Sequence, residues 1–184
     1  MPVDVRVLSY NVRSLRDDAQ AVATVIRACK PDVVCIQEAP RFLRWRAKCA
    51  ALARESGLVV VTGGRSAAAM LLLASLRVRV VSAHDVLLTR KRGLHQRGMA
   101  AAILEIEGIR FALGSIHLDL EAAERLRHVD EILLRSSVFG VPTILAGDIN
   151  EEPSGPAWKA LSGRYRDAYA VAPTGGAFTY SATR

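Results

Sequence analysis

The chain is 184 residues long, 51% hydrophobic and 23% charged, with a mean hydropathy of +0.18. That suffices for one domain, 1–184, with a sizeable core, and it excludes a disordered chain; the longest apolar stretch, AAAMLLLASL between Arg65 and Arg77, is too short to cross a membrane as a helix. A formal net charge of +7 favours polyanionic partners such as nucleic acid, phosphorylated small molecules or anionic lipid, although arginine supplies 21 of the 25 basic residues and an arginine-rich composition alone gives the same balance.

In chain order, VDVRVLSYN (3–11) alternates apolar and polar residues and reads as a strand rather than a secretory leader. Asp17 or Asp18 can cap a helix running to about Cys29, with Val22, Val25, Ile26 and Cys29 on its apolar stripe. DVVCIQE is a short, fully apolar run and reads as a buried strand. A basic helix follows over about 41–56 and stops at Gly57. Strands are expected at 58–62, 68–74 and 76–88, then a basic loop, TRKRGLHQRG (89–98). MAAAILEIEGIRFALGSIHLDL reads as a hairpin turning near Glu107-Gly108. A helix over about 120–136, with Asp119 as a cap, has Leu126, Val129 and Leu133 inward and Glu121–Arg125 and Arg127–Glu131 as surface pairs. PTILAGD is a further buried strand; 154–162 is a short helix and 178–180 a last strand fragment. Cys29, Cys35 and Cys49 are odd in number and show no paired spacing, so no disulfide framework and a cytoplasmic, reduced setting are expected.

Strand–helix–strand occurs twice, at 3–38 and 110–148. Such units place two parallel strands side by side, and ligands gather at the C-terminal ends of parallel strands. Asn11, Glu38, His117 and Asp148 occupy four such ends. Side chains two apart on an extended strand share a face, so Asp148 and Asn150 should project together, with Gly147 leaving room for close approach. Each residue also has a plain structural reading. Asn11, or Asp148 with Asn150, starts a turn; Glu38 precedes a helix; His117 is a satisfied half-buried histidine; Asp119 is a cap. His84, His95 and His128 read as surface residues, and no His/Cys spacing suggests zinc.

The ordered set SYN (9–11), IQE (36–38), SIHL (115–118) and GDIN (147–150) resembles the endonuclease/exonuclease/phosphatase superfamily, over nearly the whole chain. The resemblance implies a four-layer α/β sandwich, two packed mixed β-sheets flanked by helices. It implies a phosphoesterase that hydrolyses a phosphodiester, in nucleic acid or in a small-molecule or lipid phosphoester, by attack of water. Glu38 would be the main ligand of Mg2+ or Mn2+, with Asn11 beside it. Asp148 would orient or deprotonate the water, Asn150 would hold water or phosphate, and His117 would donate to a phosphate oxygen or the leaving group. The residue types suit this chemistry: a hard divalent cation needs few protein oxygens and neutralises the anionic phosphodiester, while a second carboxylate positions water. In the basic loop, Arg90, Lys91, Arg92, His95 and Arg97 are candidates to meet substrate phosphates, Arg97 foremost.

The superfamily carries two further motifs toward the C-terminus, one resembling Arg-Ile-Asp-Tyr and one Ser-Asp-His, and no Ser-Asp-His occurs here. The expectation is a C-terminally incomplete domain, with strands missing from the second sheet and an open edge that a homo-oligomer would complete. The alternative function is a catalytically inactive relative acting as a polyanion-binding or protein-interaction module.

Overall fold

Along most of the strands both faces are apolar, and residue parity decides which layer each side chain joins. The computed structural model describes residues 3–176 and Thr179. One sheet is built from β1 (Val7–Asn11), β2 (Val33–Gln37), β3 (Val59–Gly64) and β4 (Met70–Ala74), in the order β1-β2-β4-β3. The other is built from β5 (Arg79–Leu87), β6 (Gly98–Ile106), β7 (Ile109–His117) and β8 (Thr143–Asp148), in that order. The β1–β2 and β7–β8 pairs are parallel and all others antiparallel, so both strand–helix–strand units place their strands side by side as expected.

Val33, Cys35, Met70 and Leu72 meet Ala102, Leu104, Phe111 and Leu113 between the sheets. The opposite parity in the first sheet, Val34, Ile36, Leu71 and Leu73, packs under α1 (Ala19–Cys29) and α2 (Trp45–Glu55). Met99, Ala101 and Ile116 of the second sheet pack under α3 (Ala122–Ser136) and α4 (Pro156–Ser162). A short α5 (Ala168–Val171) follows. The result is the α/β four-layer sandwich, helices outside two packed mixed sheets. No helix among the described residues is long and apolar enough to cross a membrane.

Asp18 caps α1, its carboxylate accepting from the N–H groups of Gln20 and Ala21 at 2.9 and 3.0 Å. The hairpin turns at Glu107 and Gly108, both with positive φ, as a two-residue connection between right-twisted strands requires.

Several expectations fail, each for a tertiary reason. The basic helix begins at Trp45, not near 41, because Arg44 sits in the left-handed region at φ 57° and residues 41–44 form a loop. Asp119 does not cap α3; Glu121 occupies that position, and Asp119 instead accepts from the Glu121 N–H and from Arg97. Neither expected pair on α3 forms. Glu121 pairs with Lys91, Arg125 with Glu151 and Arg127 with Glu124, while Glu131 accepts from the Thr89 N–H. Val129 and Leu133 pack inward on α3 as expected, joined by Ile132, but Leu126 is 38% exposed. His128 is buried, its Nε2 at 3.2 Å from the Thr89 carbonyl oxygen. The strand β8 is only partly buried along its length, because it is an outer strand, as is β1 beside it. The strand fragment expected at 178–180 falls, except for Thr179, outside the described residues.

Leu72 is fully buried between the sheets, whereas Leu76 is 87% exposed. Leu72→Ala should lower unfolding free energy by about 2–5 kcal/mol, and Leu76→Ala by less than about 0.5 kcal/mol, in urea denaturation.

Candidate active site

The four strand ends singled out in the sequence converge at one end of the gap between the sheets. Register places Asn11 opposite Gln37 in the first sheet and His117 opposite Asp148 in the second. Asn11, His117 and Asp148 share parity with the inter-sheet residues Val7, Leu113 and Ala146, so they are the last inward-facing positions of their strands. Glu38 has the wrong parity for this, since Val34 and Ile36 face the helices. Its φ of 53° turns the chain, and its carboxylate arrives beside Asn11. A non-glycine residue in this region costs about 1–2 kcal/mol.

The side-chain amide of Asn11 donates both to Glu38 Oε1, at 3.1 Å, and to Asp148 Oδ2, at 3.2 Å. It thereby joins carboxylates from two different sheets. Among the described residues no lysine or arginine lies within ion-pairing distance of either carboxylate; His117 Nε2, 3.7 Å from Asp148 Oδ2, is the nearest basic group. Burial pushes the His117 imidazole below its ordinary value of 6.5, and the Arg97 cation adds to this, against the opposing pull of Asp148, Glu38 and Asp119. Burial and Arg97 thus favour the neutral ring of His117 beside the two carboxylates.

Arg97 lies beside this histidine, its Nε donating to Asp119 Oδ2 at 3.4 Å, both side chains largely buried. The Asp119 carboxyl is held below its ordinary value: burial alone would raise it, but the Glu121 N–H and Arg97 outweigh that. Asn150 differs from expectation. The strand ends at Asp148, and Asn150 adopts φ 52°, so the two side chains do not project as an extended pair. The Asn150 backbone N–H donates to Asp148 Oδ1 at 3.0 Å, and its amide donates to the Leu118 carbonyl at 2.9 Å, tying β8 to the end of β7. Gly147 allows close approach of backbone rather than ligand: a Cβ there would lie 1.9 Å from the Ile116 carbonyl oxygen of β7.

Three residues beneath the cluster were not singled out. Gln37 donates to Ser115 Oγ at 3.3 Å and to the Cys35 carbonyl at 3.1 Å, Ser115 Oγ donates to the Ile36 carbonyl at 3.1 Å, and Ser9 Oγ reaches Gln37 at 3.5 Å. This buried network crosses between the sheets and fixes their relative position under the site. The signal was present in the sequence, as polar residues inside the same apolar runs that end in Asn11, Glu38 and His117.

Among the described residues no three His, Cys, Asp or Glu side chains form a ready-made metal cage. The donor set fits a cation that keeps most of its water: two carboxylates with one amide between them suit Mg2+ or Mn2+ better than zinc.

A family model described as "Endonuclease/Exonuclease/phosphatase family" matches residues 8–184. Among solved structures, the chain is similar to an endonuclease/exonuclease/phosphatase family protein from Bacteroides thetaiotaomicron, at 16% identity and a TM-score of 0.75, covering 89% of this chain and 70% of that one. It is similar to truncated Caenorhabditis elegans TDP2, at 18% identity and a TM-score of 0.61, covering 82% and 64%. It is also similar to the human Nocturnin catalytic domain with bound sulfate anion, at 18% identity and a TM-score of 0.61, covering 87% and 70%. These likenesses are of fold. Comparison with curated proteins finds no match.

With a folded-state value below the unfolded one, the His117 contribution to stability is present above the unfolded value and declines as pH falls through it, because the unfolded chain then binds the extra proton. NMR titration in EDTA should give a His117 midpoint below 6.5, and His117→Gln should flatten the loss of stability below that pH.

Proposed function

Because the chain belongs to the endonuclease/exonuclease/phosphatase family, we propose that it is a divalent-metal-dependent phosphoesterase that hydrolyses a phosphodiester by attack of water at the cluster of Asn11, Glu38, His117 and Asp148. The observation that carries this reading is the pair of carboxylates, Glu38 and Asp148, brought together across two sheets by one neutral amide, with no lysine or arginine among the described residues paired to either. Like charges are gathered at such cost to stability where a cation or a reacting phosphate makes use of them.

Glu38 would be the main ligand of Mg2+ or Mn2+, with Asn11 beside it; the Asn11 Oδ1 accepts from the Arg13 N–H while its NH2 faces the carboxylates, so the amide would have to turn to give its oxygen to the ion. The ion, when bound, would neutralise charge on the non-bridging phosphate oxygens. Asp148 has both oxygens engaged by one donor each, from Asn11 and from the Asn150 N–H, and each oxygen retains a lone pair for water. It is thereby oriented to position a water and accept its proton. A neutral His117 donates its Nε2–H to a phosphate oxygen without adding a cation that would quench Asp148. Arg97, held by Asp119, gives the positive edge that faces an incoming phosphate. Asn150 holds β8 against β7 and so keeps Asp148 in place. A cytoplasmic setting agrees with three free thiols at Cys29, Cys35 and Cys49.

A second reading, self-association, is favoured by β1 and β8, which lie side by side as the outer strands of their sheets, with β8 partly exposed throughout. A homo-oligomer pairing these edges would cover them. Sedimentation of a strict monomer at all concentrations would dismiss it.

Bis-p-nitrophenyl phosphate should be hydrolysed with Mg2+ or Mn2+ and not in EDTA. Glu38→Ala and Asp148→Asn should each lower kcat/KM by about 100-fold or more. Metal-independent turnover, or turnover indifferent to both changes in folded protein, would refute the reading.

A further inference from the structure

Arg77, Arg79, Arg110, Arg125 and Arg127 are each paired with a carboxylate. Arg41, Arg44, Arg65 and Arg90 have no such partner among the described residues, and all four line one cavity of about 600 Å3. Its walls are the loop between β2 and α2 and the loop between β5 and β6, together with Arg65 and Ala68 from the turn between β3 and β4. The first wall starts at Glu38 and the second ends at Arg97, so both run into the candidate active site.

The cavity also holds an aromatic pair with unlike roles. Trp45 is fixed: a Cβ on Gly64 would lie 2.4 Å from its ring, and the Arg46 guanidinium sits 4.3 Å from its ring centroid. Phe42 is free to receive a ligand, 69% exposed, with Arg41 5.2 Å from its centroid. An exposed phenylalanine beside four unpaired arginines costs solubility and leaves cations unbalanced. A ligand that supplies both negative charge and flat apolar faces answers both. A single nucleic-acid strand does so; a duplex keeps its bases stacked inside. A bilayer offers a plane, whereas these cations line the two sides of a concavity.

Resting on the phosphoesterase reading above, we infer that this groove binds a single strand of nucleic acid, with backbone phosphates on Arg44, Arg65 and Arg90 and an unstacked base on Phe42, and that it leads the strand to Glu38 and Asp148. The substrate class is then single-stranded nucleic acid.

The test is fluorescence anisotropy of the whole chain with a labelled single strand of about 16 nucleotides, in EDTA at several salt concentrations. A duplex of the same length and phosphatidylglycerol-containing vesicles serve as comparisons. The single strand should bind more tightly than the duplex. Phe42→Ala should weaken it about tenfold, and Arg44→Gln/Arg65→Gln/Arg90→Gln should lower the slope of log affinity against log salt by about 2. These side chains are exposed, so the variants should keep the wild-type thermal transition. If the triple variant misfolds, Phe42→Ala and Arg65→Gln are read singly. Equal binding of duplex and single strand with indifference to Phe42 would overturn the inference. So would absence of binding to the strand, or vesicle binding that depends on Phe42 and the 83%-exposed Leu43 in its place. EDTA separates the two readings: strand binding is measured without turnover, and hydrolysis of bis-p-nitrophenyl phosphate is measured without a strand.

Discussion

One side-chain amide, that of Asn11, sits between two carboxylates that belong to different sheets, and much of the structure serves to bring those three groups together. The carboxylates repel each other, so the arrangement holds only if the sheets are locked at this end. The buried Ser9–Gln37–Ser115 network provides one lock, from β1 through β2 to β7. Gly147 provides another, since any side chain there would push β8 off the backbone of β7. Asn150 closes the end by gripping the Leu118 carbonyl. The left-handed backbone at Glu38 shows the same demand from the other side: a strained conformation is kept because it delivers the carboxylate to Asn11.

Charge is arranged around that centre in layers. Burial and Arg97 favour the neutral form of the nearest basic group, His117. Arg97 in turn is held back by Asp119, so a full cation lies close to the carboxylates without pairing with them. Further out, Arg41, Arg44, Arg65 and Arg90 line the groove without a carboxylate partner among the described residues. The field thus changes from negative at the strand ends to positive on the rim. A cation at the centre and an anionic chain across the rim is the ligand pair such a field accepts.

The sandwich was legible because its causes are local. The apolar run DVVCIQE marks a strand with two covered faces, and strand–helix–strand spacing implies parallel neighbours, so Asn11, Glu38, His117 and Asp148 could be placed at equivalent ends. What could not be read depends on distant partners. Arg125 looks like half of an i,i+4 pair with Glu121, yet Glu151 takes it and Lys91 takes Glu121. His128 reads as a surface residue, but the loop at Thr89 folds over it. Asn150 looks like the next position of β8 on the same face as Asp148, but its backbone turns left-handed to bond Asp148 and Leu118. The expected first turn of α2 is a loop because Arg44 leaves the helical region, and that loop brings Phe42 and Arg41 to the groove.

In this reading Glu38, with Asn11 beside it, receives a divalent cation, and Asp148 is held close by to act on the attacking water. Calorimetric titration of the protein with Mn2+ tests it most directly, because it needs neither substrate nor turnover. The account predicts saturable binding of an ion that is lost in Glu38→Gln and weakened in Asp148→Asn, with both variants folded. Binding of equal affinity in wild type and Glu38→Gln, or no binding by the folded wild-type chain, would contradict it.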